Sequence, residues 1–98
     1  MLSIVEDPSW AECVKAFGDI RKIDKALEPI LDGLSKHPEG FPLVPGFEAI
    51  GIRIAKTDQT ENDDGSVTPK LSVWFISRRS QGRVDLLWFY TPPEDENN

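Results

Sequence analysis

Apolar residues are distributed differently in the two halves of this chain. In the first half they recur with a helical period; in the second they gather into three short runs, Glu48–Lys56, Lys70–Arg79 and Arg83–Thr91. The first run alternates. Ile50, Ile52 and Ile54 fall on one side and Ala49, Gly51, Arg53 and Ala55 on the other, the period of a half-buried strand. In the next two, Leu71, Val73 and Phe75 alternate against Trp74 and Ile76, and Val84, Leu86, Trp88 and Tyr90 against Leu87 and Phe89. Helices followed by a cluster of antiparallel strands restrict the chain to a small α+β domain.

The helices are marked at their ends. Leu2–Glu6 reads as a short first strand, and Asp7-Pro8 as an N-cap with proline at the first helical position. A helix over Pro8–Phe17 lines up Trp10, Val14 and Phe17; Gly18 stops it and Asp19 caps the next. Ile20, Ile23, Leu27, Ile30, Leu31 and Leu34 form the stripe of a second helix ending by Lys36. Pro29 lies inside it and predicts a kink, or a break with the helix restarting there. His37–Gly46 is a proline-stiffened connector, Asp58–Pro69 a long mobile polar hairpin loop, and Ser80-Gln81-Gly82 a turn. The expected architecture is β-α-α-β-β-β, with two helices packed on one face of a small antiparallel sheet. It forms one domain over residues 1–91, with a disordered acidic tail over 92–98.

The strands carry more apolar surface than two helices can cover. Trp74, Ile76, Leu87 and Phe89 are therefore expected to face a partner, a dimer mate or a terminal segment. The alternative is a twisted central strand buried on both faces within one chain.

Charge modifies this picture. The 98 residues carry a formal net charge of −6, unfavourable for nucleic acid. Seven of the acids lie in the polar loop (Asp58, Glu61, Asp63, Asp64) and the tail (Glu94, Asp95, Glu96). Within the strands Arg53, Lys56, Lys70, Arg78, Arg79 and Arg83 face one acid, Asp85, so the sheet is locally basic.

Several chemistries are poorly supported. GFPLVPG has the wrong glycine spacing for a phosphate loop. One histidine, His37, and one cysteine, Cys13, give no metal cluster, no disulfide and no His-based triad, so neither metal nor cofactor is expected. The tryptophans do not interleave with basic residues and read as core or interface positions rather than a base-stacking platform. No apolar run approaches the roughly 20 residues of a membrane span, and MLSIVEDPSW lacks the features of a secretory leader. The expected compartment is the cytoplasm.

The paired helices, LSKHPEG, the arginine-bearing GIRIAKT, LSVWFISRR and the closing VDLLWFY together resemble the RelE/ParE superfamily of small bacterial toxins over residues 4–91. The resemblance implies the toxin component of a bacterial type II toxin–antitoxin system, neutralised by a cognate antitoxin. It would act on translation, as a metal-independent endoribonuclease on ribosome-bound mRNA, or on DNA gyrase. In the ribonuclease branch Arg53 would stabilise the transition-state phosphate and Lys56 would assist or donate a proton. Arg78 or Arg79 would clamp the scissile phosphate, and Tyr90 would serve as an acid/base aromatic. No candidate general base accompanies them. The acidic balance harms a gyrase-directed role less than one on RNA. The competing reading is a non-catalytic α+β protein-interaction module, and either could form a homo- or hetero-oligomer.

Overall fold

The computed structural model describes residues 1–93. Strand β1 (Ser3–Glu6) leads into α1 (Pro8–Phe17) and α2 (Ile20–Lys36), and β2 (Ile52–Lys56) follows the connector. A two-stranded hairpin, β3 (Thr60–Glu61) with β4 (Val67–Thr68), precedes β5 (Ser72–Arg78) and β6 (Arg83–Tyr90). The main sheet has the order β1-β6-β5-β2; β1 runs parallel to β6 and the other pairs are antiparallel.

The helix boundaries follow the capping residues. Asp7 accepts from the Ser9 amide at 3.0 Å, Asp19 accepts from the Arg21 amide at 3.0 Å, and Gly18 closes α1 in a left-handed conformation. Pro29 does not break α2, which is continuous from Ile20 to Lys36. Its ring lies on the exposed side, and the apolar stripe before and after it is anchored on the same core. Trp10, Ile23, Ala26, Leu27 and Leu34 from the helices are buried against Ala55, Leu71, Val73, Phe75, Val84, Leu86 and Phe89. This is the helix-side core.

Three expectations are corrected. The first strand of the second half begins at Ile52, not Glu48: Phe47–Gly51 is a turn, Gly51 sits at φ +87°, and Ile50 is 63% exposed. A residue with a side chain at Gly51 would be strained there, so alternation could not run on through it. The polar loop folds into the β3–β4 hairpin and leans on α2, with Lys22 and Lys25 3.6 Å and 3.4 Å from Asp64 and Asp63. The third correction concerns β6. A bulge opposite Trp74/Phe75 shifts the register, so Phe75 pairs with Leu86 and Trp74 with Trp88. Beyond it the faces exchange. Phe89 enters the helix-side core against Trp10, at a 4.7 Å ring-centroid distance, and Trp88 joins Trp74 in its place.

The connector also has a role that its prolines did not reveal. Phe41 packs edge-on against Phe75 on the helix side, Leu43 bridges to Arg53 at the β2 edge, and Val44 reaches the opposite face beside Ile52 and Ile76. The segment wraps around the sheet edge and covers part of the face the helices leave open. The acidic tail expected over residues 92–98 lies, from residue 94 on, outside the described residues. No helix is long and apolar enough to cross a membrane among the described residues.

Candidate functional site

The five residues assigned to phosphate chemistry do not converge. Arg53 lies on the helix-facing side of β2, where its Nη1 donates to the carbonyls of Phe41 at 2.7 Å and Glu39 at 3.2 Å. It pins the connector. Arg79, just past β5, donates from Nη2 to Glu39 Oε1 at 2.7 Å, from Nε to Oε2 at 3.2 Å, and again from Nη2 to the Lys36 carbonyl at 3.3 Å. Ser77 Oγ donates to the same carboxylate at 2.6 Å. Hydrogen bonds from Arg79 and then Ser77 hold the Glu39 carboxyl down to about 2. Arg78 is on the other face, its Nε 2.8 Å from Asp85 Oδ2, while Arg83 Nε is 2.8 Å from Oδ1. Burial would raise the Asp85 carboxyl, but its hydrogen bonds to Arg78 and Arg83 outweigh that and keep it below its ordinary value. The phosphate clamp expected of Arg78 or Arg79 is thus occupied by the chain's own carboxylates.

Lys56 and Tyr90 are brought together. They line a cleft of about 540 Å³ at the open end of β2, β5 and β6, along with Lys70, Asp58 and Trp74. Lys70 was counted in the basic sheet but not as a site residue. The signal that joins it to Lys56 is the excursion between β2 and β5, which leaves and re-enters the sheet at nearly the same place: the Thr57 amide donates to the Leu71 carbonyl at 2.9 Å, and Thr57 Oγ1 accepts from the Leu71 amide at 2.9 Å. Two ammonium groups, one carboxylate and a phenol in one cleft can bind an anion and move a proton. The arginines that would stabilise a phosphorane lie elsewhere.

The sheet face away from the helices holds the remaining candidates. Val44, Ile52 and Ile76 are buried there, with Ile54, Trp74 and Leu87 half-buried against them. Trp74, Ile76 and Leu87 were expected on this face; Phe89 is not, and Trp88 stands where it was placed. Trp74 lies 5.0 Å from Trp88, 5.4 Å from Phe47 and 6.4 Å from Tyr90 between ring centroids. Its Nε1 is the single buried side-chain polar atom without a hydrogen-bond partner among the described residues. An unpaired buried donor of this kind costs about 1–3 kcal/mol. Half of the open-face question therefore has an internal answer, since the connector covers the β2 side with Val44 and Phe47. Leu87, Trp88, Tyr90 and Val5 remain half-buried or exposed.

No group of His, Cys, Asp and Glu among the described residues has the geometry to hold a metal ion. No protein-family model matches the chain, and no curated protein matches it either.

Proposed function

We propose that this chain is the toxin-type component of a bacterial toxin–antitoxin pair of the RelE/ParE kind, acting in the cytoplasm by engaging a protein target such as DNA gyrase rather than by cutting RNA. The helices and main-sheet strands follow the order β-α-α-β-β-β, with the β3–β4 hairpin inserted between β2 and β5, in keeping with the resemblance carried by GIRIAKT, LSVWFISRR and VDLLWFY. The observation that separates binding from cleavage is the fate of the arginines. Arg53, Arg78 and Arg79 each have internal partners, so the charge that RNA cleavage requires around the scissile phosphate is not assembled. Meanwhile the face bearing Trp74, Leu87, Trp88 and Tyr90 is only partly covered, and half-open aromatic surface rimmed by polar residues is the usual composition of a protein contact. A cognate antitoxin segment that folds on binding would mask this face.

Induced expression in a bacterial host, scored separately for plasmid supercoiling and for mRNA integrity, tests the reading. The expected result is growth arrest with altered supercoiling and intact mRNA, relieved by Trp88→Glu, which charges the exposed part of the face. Arrest with cleaved mRNA that Lys56→Ala prevents would reinstate the ribonuclease branch. Harmless expression would leave the non-catalytic interaction module as the surviving reading.

A further inference from the structure

Seven of the eleven Lys and Arg side chains lie against carboxylates of the chain itself. Arg21, Lys22, Lys25 and Lys36 face Asp19, Asp64, Asp63 and Asp32, while Arg78 and Arg83 share Asp85 and Arg79 holds Glu39. Arg53 is bonded to carbonyls. Among the described residues this leaves Lys15, Lys56 and Lys70 without such a partner. Lys15 stands alone on α1, whereas the other two open into the same cleft.

We infer that this cleft is a binding site for a small ligand that joins one anionic group to a planar aromatic ring, directly or through a short polar or alkyl spacer, the chemistry shared by nucleoside monophosphates and aromatic carboxylic acids. The charge balance sets the anion. Lys56 and Lys70 against Asp58 give a local excess of one positive charge, which suits a single phosphate or carboxylate but not a polyanion approaching a molecule of net charge −6. The ring follows from the walls. Trp74 and Tyr90 contribute aromatic surface, and Val44, Pro45, Ile54 and Pro92 are apolar. A flat π-system stacks on such walls without needing a particular hydrogen-bond pattern. A volume of about 540 Å³ lies within the range of small-molecule pockets. The indole N–H of Trp74, lacking an acceptor in the protein, gains one if the ring turns toward a bound ligand. None of this depends on the toxin reading, because the site needs neither a target protein nor an antitoxin.

Isothermal titration of the full 98-residue chain with AMP, indole-3-acetate and inorganic phosphate tests the assignment. At least one ring-bearing probe should bind with a submillimolar dissociation constant and inorganic phosphate at least tenfold more weakly. AMP binding tighter than indole-3-acetate would identify the phosphate source, and the reverse order the carboxylate source. Lys56→Ala/Lys70→Ala should weaken the ring-bearing probe at least tenfold. Both side chains are exposed, so the fold is kept, as an unchanged thermal melt would verify. Lys15→Ala, which removes the third unpartnered lysine from a different surface, should leave affinity unchanged. The site is overturned if neither ring-bearing probe binds at millimolar concentration. Inorganic phosphate binding as tightly as the ring-bearing probes would overturn it too, as would a double variant that binds as wild type does.

Discussion

Replacing Phe89 and Trp88 by alanine, separately, measures the bulge in β6 directly. Strict alternation along VDLLWFY puts Trp88 in the core with Val84 and Leu86 and leaves Phe89 outside; the observed register reverses the two. Phe89 is only 7% exposed and touches Trp10 and Phe17 edge-on, at 4.7 Å and 6.3 Å. Truncating a core phenylalanine costs roughly 3–5 kcal/mol, a range that already includes its lost aromatic contacts. A value near 4 kcal/mol is therefore expected for Phe89→Ala, a large part of the roughly 5–15 kcal/mol that stabilises a domain. Trp88 is half-buried. It hides roughly 160 Å², which at about 25 cal/mol per Å² is about 4 kcal/mol as an upper bound and about 3 kcal/mol once residual denatured-state burial is allowed for, and on the open face its loss leaves no enclosed cavity. The gap of about 1 kcal/mol corresponds to about 4–8 °C in Tm for a domain of this size. Urea denaturation followed by far-UV circular dichroism resolves such a difference, with Phe89→Leu as the milder variant if Phe89→Ala does not fold. Equal costs, or a larger cost at Trp88, would refute the register shift.

Arg53→Met should destabilise by about 1–3 kcal/mol through the lost charge-assisted bonds to Phe41 and Glu39 carbonyls; hydrogen exchange should show early opening of the connector at Val44 and Ile54, whose amides bond across the β2 edge. Because the Glu39 carboxyl is depressed to about 2 from 4.5, its contribution is complete above about pH 4.5 and is lost as pH falls toward 2. About a third of the Glu39 side chain and half of the Arg79 side chain are open to solvent, so screening weakens the pair, and Arg79→Ala should flatten the acid limb, read by denaturation between those pH values. Gly51→Ala, at φ +87°, should cost about 1 kcal/mol and lower the urea midpoint without altering the slope.

What could be read in advance depended on whether the signal was local. The helices were legible to within a residue because Asp7-Pro8, Gly18 and Asp19 state their ends in the sequence. The β6 bulge was not, because alternation along one strand cannot register that its partner strand slips by a residue. Two-residue strands such as Thr60–Glu61 fall below any periodicity, so the hairpin loop was read without its paired strands. At the site, Lys56 and Tyr90 were marked in advance and do share a cleft, whereas Arg53 was read as reactive from its second-strand position in the family resemblance. Only the path of the connector, whose carbonyls it holds, gives it another task. Lys70 was visible as charge but not as a neighbour of Lys56, since that proximity comes from closure of the intervening excursion.

The pairing of β1 with β6 joins the two ends of the domain. Ser3 lies beside Arg83 and Glu6 beside Leu86, and α1 packs over the same last strand through Trp10 and Phe89. During synthesis, the first strand and first helix emerge without the strand they pair with and pack on until β6 has been made. A chain that stalls before Arg83 lacks more than one strand: its amino-terminal elements have no floor, and the cleft has no Tyr90 wall. Synthesis of β6 is thus a physical gate on this fold.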